Sequence, residues 1–454
     1  MMTVALSAFP CIDLSRVLRG WFAVLSGAKR RCEGATAFSV IALLVCLFAF
    51  CSSLITYRVS ILLFASAIVL VAILAVRSGR LLEFDLRAIV PILPWLLVAV
   101  MAAVGYVAGG GYDLAATVAL VCTVALAVFS VENTKWIEPT ITAFIAVLLV
   151  FAIATIACYV FPQLYSGFIK PTFYSNVPMA QDYRSGLASH YSHNGTFCTI
   201  GFILTSALAF YDSQKTRSKR FYVFLALVFF AALVLTTKRA HLLCGIFAVG
   251  FVYLISNNQH RYLKAIGVGA LVVLAVAVLA PLIPGIEATI ERLTTTFSSN
   301  TSFEDNVNNR TYLWDYALNG LAQSPVFGHG WTSYCYRWPD GVTITYMAHN
   351  ELLNLLYETG YVGTAVVLLG CAASLLLTFH TIALTDDGHF KAYLRLSLCV
   401  QIFFLTYAFT SGALFTTIPN LITYFLAVAI MASIRWGALK RDRTPRTLHG
   451  GGNR

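Results

Sequence analysis

Residues 140–161 read TITAFIAVLLVFAIATIACYVF, a run without a charged side chain. A helix needs ~20 such residues to cross the hydrocarbon core of a bilayer. The run must be helical there, because hydrocarbon offers no partner to an open backbone N–H or C=O. Runs of the same character recur at 37–56, 59–76, 88–108, 114–130, 195–211, 221–236, 240–256, 265–284, 361–380, 394–412 and 419–434. The pattern predicts an all-α polytopic membrane protein of about twelve transmembrane helices.

The composition agrees. Of 454 residues, 59% are hydrophobic and 11% charged, where a soluble chain carries roughly 25% charged residues. The net charge of +11 raises the question of nucleic acid, and its placement argues against it. With the N-terminus inside, only Arg58, Lys170, Arg184, Lys238, Arg239, Arg292, Arg310 and Arg337 of the 31 Lys and Arg fall outside. This bias predicts that both termini are cytoplasmic. Arg16, Arg19, Lys29, Arg30 and Arg31 then form a basic cytoplasmic lead rather than a secretory signal. The basic tail from Lys440 to Arg446 suits contact with anionic lipid or solvent. Of eleven cysteines, Cys46, Cys51, Cys122, Cys158, Cys198, Cys244, Cys371 and Cys399 fall inside expected spans. There cysteine is a small apolar filler; neither a disulfide framework nor a paired metal spacing is predicted.

Three regions follow: a lead over 1–36, a membrane domain over 37–434 and a tail over 435–454. Most connections are short, but the outer segments 162–194 and 285–360 are long and predict a helical cap facing outward. Within the second, Asn309 is positioned to cap a helix from Arg310 through Tyr312, Leu313, Tyr316, Ala317 and Leu321 that ends before Pro325. Its apolar face is expected on the membrane surface or on span ends. Gly328-His329-Gly330 and Pro339-Asp340-Gly341 mark turns. Trp331, Tyr334, Tyr336, Trp338 and Tyr346 read as interface anchors, although such rings also stack on sugars.

Several outer residues carry chemical potential. His349 and Asn350 precede Leu353, Leu356 and Gly360. The step from His349 to Gly360 is close to three helical turns, which puts both on one helix face. Gly360 and Gly363 would let that helix approach another. An imidazole at that depth accepts a proton near neutral pH; the alternative is a polar cap at the interface. Lys238-Arg239 sits between two spans with almost no loop, against the charge bias. It reads as fixed positive charge or as snorkelling side chains. The run Asp182-Tyr183-Arg184-Ser185-Gly186-Leu187-Ala188-Ser189-His190-Tyr191-Ser192-His193-Asn194-Gly195 offers a guanidinium, two imidazoles and hydroxyls. Arg184 is a candidate phosphate ligand there, and His190 and His193 are weaker candidate substrate contacts, as is Asn350. Arg310 is a further phosphate candidate, with a surface salt bridge as its alternative. Glu304, Asp305, Glu351 and Glu358 are dispersed, so no magnesium site is expected. Cations of this kind suit a diphosphate, whose departing charge needs fixed counter-charge.

The pattern His349-Asn350-x9-Gly360-x-x-Gly363-Thr364 resembles the signature of the O-antigen ligase and polysaccharide polymerase superfamily. Arg239 looks like that family's outer-span arginine. Asn309-Arg310 to Trp314, followed by Pro325-Val326-Phe327-Gly328-His329-Gly330-Trp331, looks like its Arg…Pro-x-x-Gly-x-Gly pattern. Lys238 stands where the family often has serine. The resemblance covers roughly 184–365 together with the twelve-span plan. It implies a membrane-embedded, metal-independent, inverting glycosyltransferase without a cofactor. Its donor would be a glycan on undecaprenyl diphosphate and its acceptor a hydroxyl on a glycan, lipid or other molecule. His349 would activate the acceptor, while Arg184 and Arg239, with Lys238 and Arg310, would hold the diphosphate. The expected setting is the outer face of the bacterial cytoplasmic (inner) membrane. The motif does not separate ligase from polymerase. A rival of another class, a lipid-linked sugar transporter or flippase, would need a polar path that these spans lack.

Overall fold

The computed structural model describes residues 33–54, 57–77, 86–109, 113–175, 182–211, 216–256, 310–337, 345–411, 414–415 and 417–443. Helices α1 (Glu33–Cys51), α2 (Tyr57–Arg77), α3 (Leu93–Gly109), α4 (Leu114–Ser130) and α5 (Ile137–Val160) form the first half. After short turns that include Tyr183–Ser185 come α6 (Tyr191–Tyr211), α7 (Thr216–Leu235) and α8 (Arg239–Ile255). Helix α9 (Thr311–Gln323) follows. The strands β1 (Tyr336–Arg337) and β2 (Thr345–Tyr346) then pair antiparallel, with Tyr336 opposite Tyr346. Helices α10 (Glu351–Leu384), α11 (Gly388–Tyr407) and α12 (Ile418–Arg443) complete the bundle.

Helices run through every expected span except 265–284, which lies outside the described residues. Among the described residues, five helices are long and apolar enough to cross a membrane, and shorter apolar helices accompany them. The chain is therefore a multi-pass membrane protein. Helix α12 continues beyond the expected span end at 434 to Arg443.

Helices α6 and α12 lie at the centre, with 89% and 83% of their apolar windows enclosed. Small residues make this possible, because close backbone approach is what membrane helix packing requires. The Phe229 ring of α7 occupies the space a side chain at Gly201 would fill. A Cβ at Gly245 of α8 would stand 2.8 Å from Thr199 of α6. Phe197 meets Phe50 and Phe151 edge-on at 5.1 and 5.0 Å. Trp95, fully buried, packs on Tyr424 and Phe425 and donates to Ser374 Oγ at 2.9 Å.

Helix α10 breaks at Gly360, whose φ of 61° and ψ of −165° are open only to glycine. The loop Pro325–Gly330 enters the break. Tyr361 N and Val362 N donate to Pro325 O and Val326 O at 2.8 and 3.2 Å. Tyr357 O and Glu358 O accept from His329 N and Gly330 N at 3.0 and 2.8 Å. In an unbroken helix these four groups would pair with one another, 361 to 357 and 362 to 358. The loop opens two helical hydrogen bonds and satisfies all four ends.

This corrects the expected single helix face. His349 lies ahead of α10, whose N-cap is Asn350, and Gly360 admits a loop rather than a helix. Gly363 does serve close helix approach: a Cβ there would stand 2.9 Å from Met101 Sδ of α3. The α9 cap is corrected as well. Its N-cap is Arg310, without a side-chain cap bond, while Asn309 lies outside the described residues. The apolar face of α9 (Leu313, Ala317, Leu321) is buried against α10, although Tyr312 is exposed. Two expected anchors are core residues instead: Trp331 and Tyr334 are each 1% exposed, and Tyr334 donates to Leu313 O at 2.8 Å. Tyr357 stacks on Tyr316 at 5.3 Å beside them. Trp338 lies outside the described residues.

Candidate functional site

Four separate stretches meet at the N-terminal ends of α6, α8, α9 and α10. Asn350 begins α10 by accepting from Leu352 N and Leu353 N through Oδ1, at 3.0 and 3.3 Å. Its carbonyl-type oxygen is thus committed to the cap. His349, just before it, has φ of 52°. Left-handed backbone costs a non-glycine residue about 1–2 kcal/mol. Glu351 ties the segment down. Its N–H donates to Ala408 O at 2.8 Å, and its buried carboxylate accepts from Leu414 N and Phe415 N at 3.1 and 3.2 Å. Trp314 of α9 adds a hydrogen bond to Ala348 O at 3.0 Å.

The Lys238-Arg239 turn is the second stretch. Lys238 is the N-cap of α8, and Thr237 before it has φ of 55°, an outlier for a β-branched residue. Among the described residues only Thr237, Thr332 and His349 are non-glycines with positive φ, so two of the three flank this site. Strain of this kind persists only where surrounding structure over-determines it, and it clusters at functional sites.

The third stretch leads into α6. Arg184 donates through Nε to both Asp182 oxygens at 2.9 and 2.8 Å, and Nη2 lies 2.6 Å from Oδ2. This hydrogen bonding holds its guanidinium above the ordinary range. Arg184 therefore arrives with its charge already answered by a near neighbour. Its Nη1 reaches Thr237 Oγ1 at 3.4 Å. Arg184 lies 5.2 Å and Lys238 Nζ 3.8 Å from the centroid of the Tyr191 ring, a cation–π arrangement in which two like charges share one aromatic ring. His190 accepts from Ser192 N at Nδ1, 3.1 Å away, and burial pushes its pKa down to about 4, with His193 and Lys238 adding to it. His193 is exposed, its Nδ1 3.3 Å from Ser189 Oγ.

Arg310 is the fourth. It donates to Thr410 O at 3.3 Å, a backbone partner rather than the surface carboxylate of the alternative reading. Burial lowers its pKa, Tyr407 opposes this and Arg239 lowers it further. His349 feels the same assembly: burial first, then Arg310 and Lys238, push its pKa down to about 4. His349, Lys238, Arg239 and Arg310 are thus close enough for their charges to act on one another. Near pH 7 the imidazole is a free proton acceptor beside a wall of fixed positive charge. Such a wall can hold an anion while the imidazole takes a proton from a neighbouring hydroxyl.

Among the described residues, no group of His, Cys, Asp and Glu is arranged to hold a metal. A cavity of about 330 Å³ between α3 and the Phe327–Trp331 loop is lined by none of these site residues. Among its lining residues, His329 Nε2 donates to Gly320 O at 2.8 Å, and Glu358 accepts from Tyr334 N at 3.3 Å.

Sequence reasoning missed Tyr191 as the shared cation platform, Asp182 as the counter-ion of Arg184, and Tyr407 and His241 beneath the cations. The ring order Arg184, Tyr191, Lys238 crosses two loops, so no local pattern marks it. The family model described as O-Antigen ligase matches residues 221–368. The match contains Lys238, Arg239, Arg310, His349 and Gly360 and leaves out Arg184, His190 and His193. No curated protein matches the chain.

Proposed function

We propose, from the match of residues 221–368 to the O-antigen ligase family model, that this chain transfers a glycan from undecaprenyl diphosphate to an acceptor hydroxyl. The superfamily itself carries ligase or polymerase-type glycosyl transfer. The proposed setting is the outer face of a bacterial inner membrane, with both termini cytoplasmic.

In the proposed step, His349 removes the proton from the acceptor hydroxyl. The acceptor oxygen bonds to the anomeric carbon from the face opposite the diphosphate, and the carbon–oxygen bond to the diphosphate breaks. The leaving diphosphate stays on the lipid and takes up the charge. Lys238, Arg239 and Arg310 stabilise that charge, and Arg184, held by Asp182, borders them. Preorganised cations are most effective where charge develops. Asn350 fixes the backbone that presents His349, and His190 and His193 flank the entrance.

The observation that carries this reading is one neutral imidazole among three clustered cations, with its pKa pushed down to about 4. A base that weak is poorly matched to pH 7. A bound diphosphate answers the charges of Arg310 and Lys238 and so raises the His349 pKa. The base strengthens when the donor is present.

Purified protein in detergent, given lipid-diphosphate glycan and acceptor, tests the proposal. Transfer should proceed without nucleotide, ion gradient or added metal, and His349→Ala should lower it by about 10²-fold or more. Near-wild-type transfer by that variant removes the base assignment. One new linkage to a different anchor identifies a ligase; a ladder of lengthened lipid-linked chains identifies a polymerase.

A further inference from the structure

We propose that His241, beneath the cationic wall, is a positioning residue for donor binding. The inference rests on the transfer reading above. His241 is the third residue of α8, one turn below the Lys238 N-cap, and is 2% exposed. Its surroundings join the Lys238 side of the site to the Arg310 side.

On the Lys238 side, α8 lies against Gly195 of α6. A Cβ at Gly195 would stand 3.2 Å from both Cβ and Cγ of Lys238 and 3.3 Å from Cγ of His241. The lysine stem and the imidazole thus rest on the same bare patch of backbone. On the Arg310 side, the His241 ring lies 4.4 Å from the Tyr407 ring. The Tyr407 side chain interacts electrostatically with Arg310. The turn following Tyr407 supplies the Thr410 carbonyl that Arg310 binds, and Thr410 N donates to Tyr407 O at 2.9 Å.

Thr196 locks the ring between these two sides. Its hydroxyl donates to Ser192 O at 3.2 Å, which uses its one proton. It also lies 2.9 Å from Nε2 of His241, a hydrogen bond that holds the ring. The Tyr407 side chain is electrostatically coupled to the same threonine and to Ser411. His241 Nδ1 is sealed from solvent and has no hydrogen-bond partner. Leucine or phenylalanine would fill the space without leaving a buried polar nitrogen unmet. Retaining histidine there, with one nitrogen bonded and the other idle, fits a demand for a rigid ring of fixed orientation and not for space filling. His241 touches no substrate-facing surface. It acts through the Lys238 stem, Thr196 and Tyr407, holding Lys238 and Arg310 at the spacing a diphosphate requires.

The test uses the purified full chain, with donor and acceptor each titrated. His241→Ala and His241→Phe should raise the donor KM about tenfold and leave the acceptor KM within about twofold. His241→Gln, whose amide N–H can reach Thr196, should return the donor KM to within about threefold of wild type. Thr196→Val, a milder change, should give the same donor-selective rise and add little to His241→Phe. Undecaprenyl diphosphate alone, measured as a competitor, should weaken by the same factor as the donor. Donor and acceptor constants that move together, or do not move, overturn the inference, as does a glutamine variant no better than phenylalanine. If wild-type protein transfers glycan while the variants are indifferent, this inference fails alone. If wild type neither transfers glycan nor binds undecaprenyl diphosphate, the proposed function falls and takes this inference with it.

Discussion

The two ends of one short segment, His349 and Gly360, both carry left-handed backbone, with φ of 52° and 61°. Their surroundings differ. At Gly360 every opened backbone group has a new partner in the Pro325–Gly330 loop, and a side chain would strike Val326 C and O at 2.5 Å. At His349 the strain falls on a residue with a side chain, and the neighbours are Lys238, Arg239 and Arg310, charges of one sign. The first arrangement is complete by itself and builds the platform. The second gathers charges of one sign, the arrangement an anion-binding site uses. Strain with all bonds satisfied marks architecture, whereas strain beside clustered like charge marks a site.

The largest expected effect is on the architectural end. Gly360→Ala adds a Cβ where the loop backbone lies and forces alanine into a glycine-only conformation. It should cost about 3 kcal/mol or more, read as a large fall in melting temperature and loss of monodisperse protein. A variant as stable as wild type would show that the loop can withdraw from the break. His349→Gly sharpens the contrast. It should abolish transfer as thoroughly as alanine while stabilising the protein by about 1 kcal/mol, because glycine accepts the strained φ freely. Lower stability in that variant would place the strain elsewhere.

A pH series separates the empty from the occupied site. His349 must be neutral to act as a base, and its pKa in the empty site is about 4. The rate constant kcat/KM, which reports free enzyme, should therefore hold as pH falls and drop only towards pH 4. The acid limb of kcat should lie at higher pH, because bound diphosphate raises the same pKa. Coincident limbs would mean that the anion does not reach His349. The smallest effect belongs to Asp182→Asn. The Arg184–Asp182 pair is partly exposed, and such pairs contribute at most about 1 kcal/mol. Stability should change by less than that, and chemical denaturation measures it.

Helix α10 shows where legibility in the sequence ended. Its apolar run and the spacing of His349, Gly360 and Gly363 are plain in the chain. That Gly360 breaks the helix was not, because the groups that satisfy the break come from Pro325–Gly330, a distant segment. The Trp331 and Tyr334 rings were misread for the same reason: their depth depends on what packs over them. Arg184 was identified as a cation, but the hydrogen bonding of Asp182 to its guanidinium is a matter of rotamer rather than spacing.

The amino-acid sequence alone determined that this chain lives in a bilayer, through runs too apolar for water, and which residues between the runs have the chemistry to move a proton or hold a phosphate. Hydrophobicity and side-chain chemistry are local properties, so they can be read in order. Tertiary structure alone decided that His349, Lys238, Arg239 and Arg310 feel one another's charge, that His241 and Tyr407 lie beneath them, and that the imidazole is held neutral. Those properties depend on distance and burial between helices far apart in the chain, and only packing sets either one.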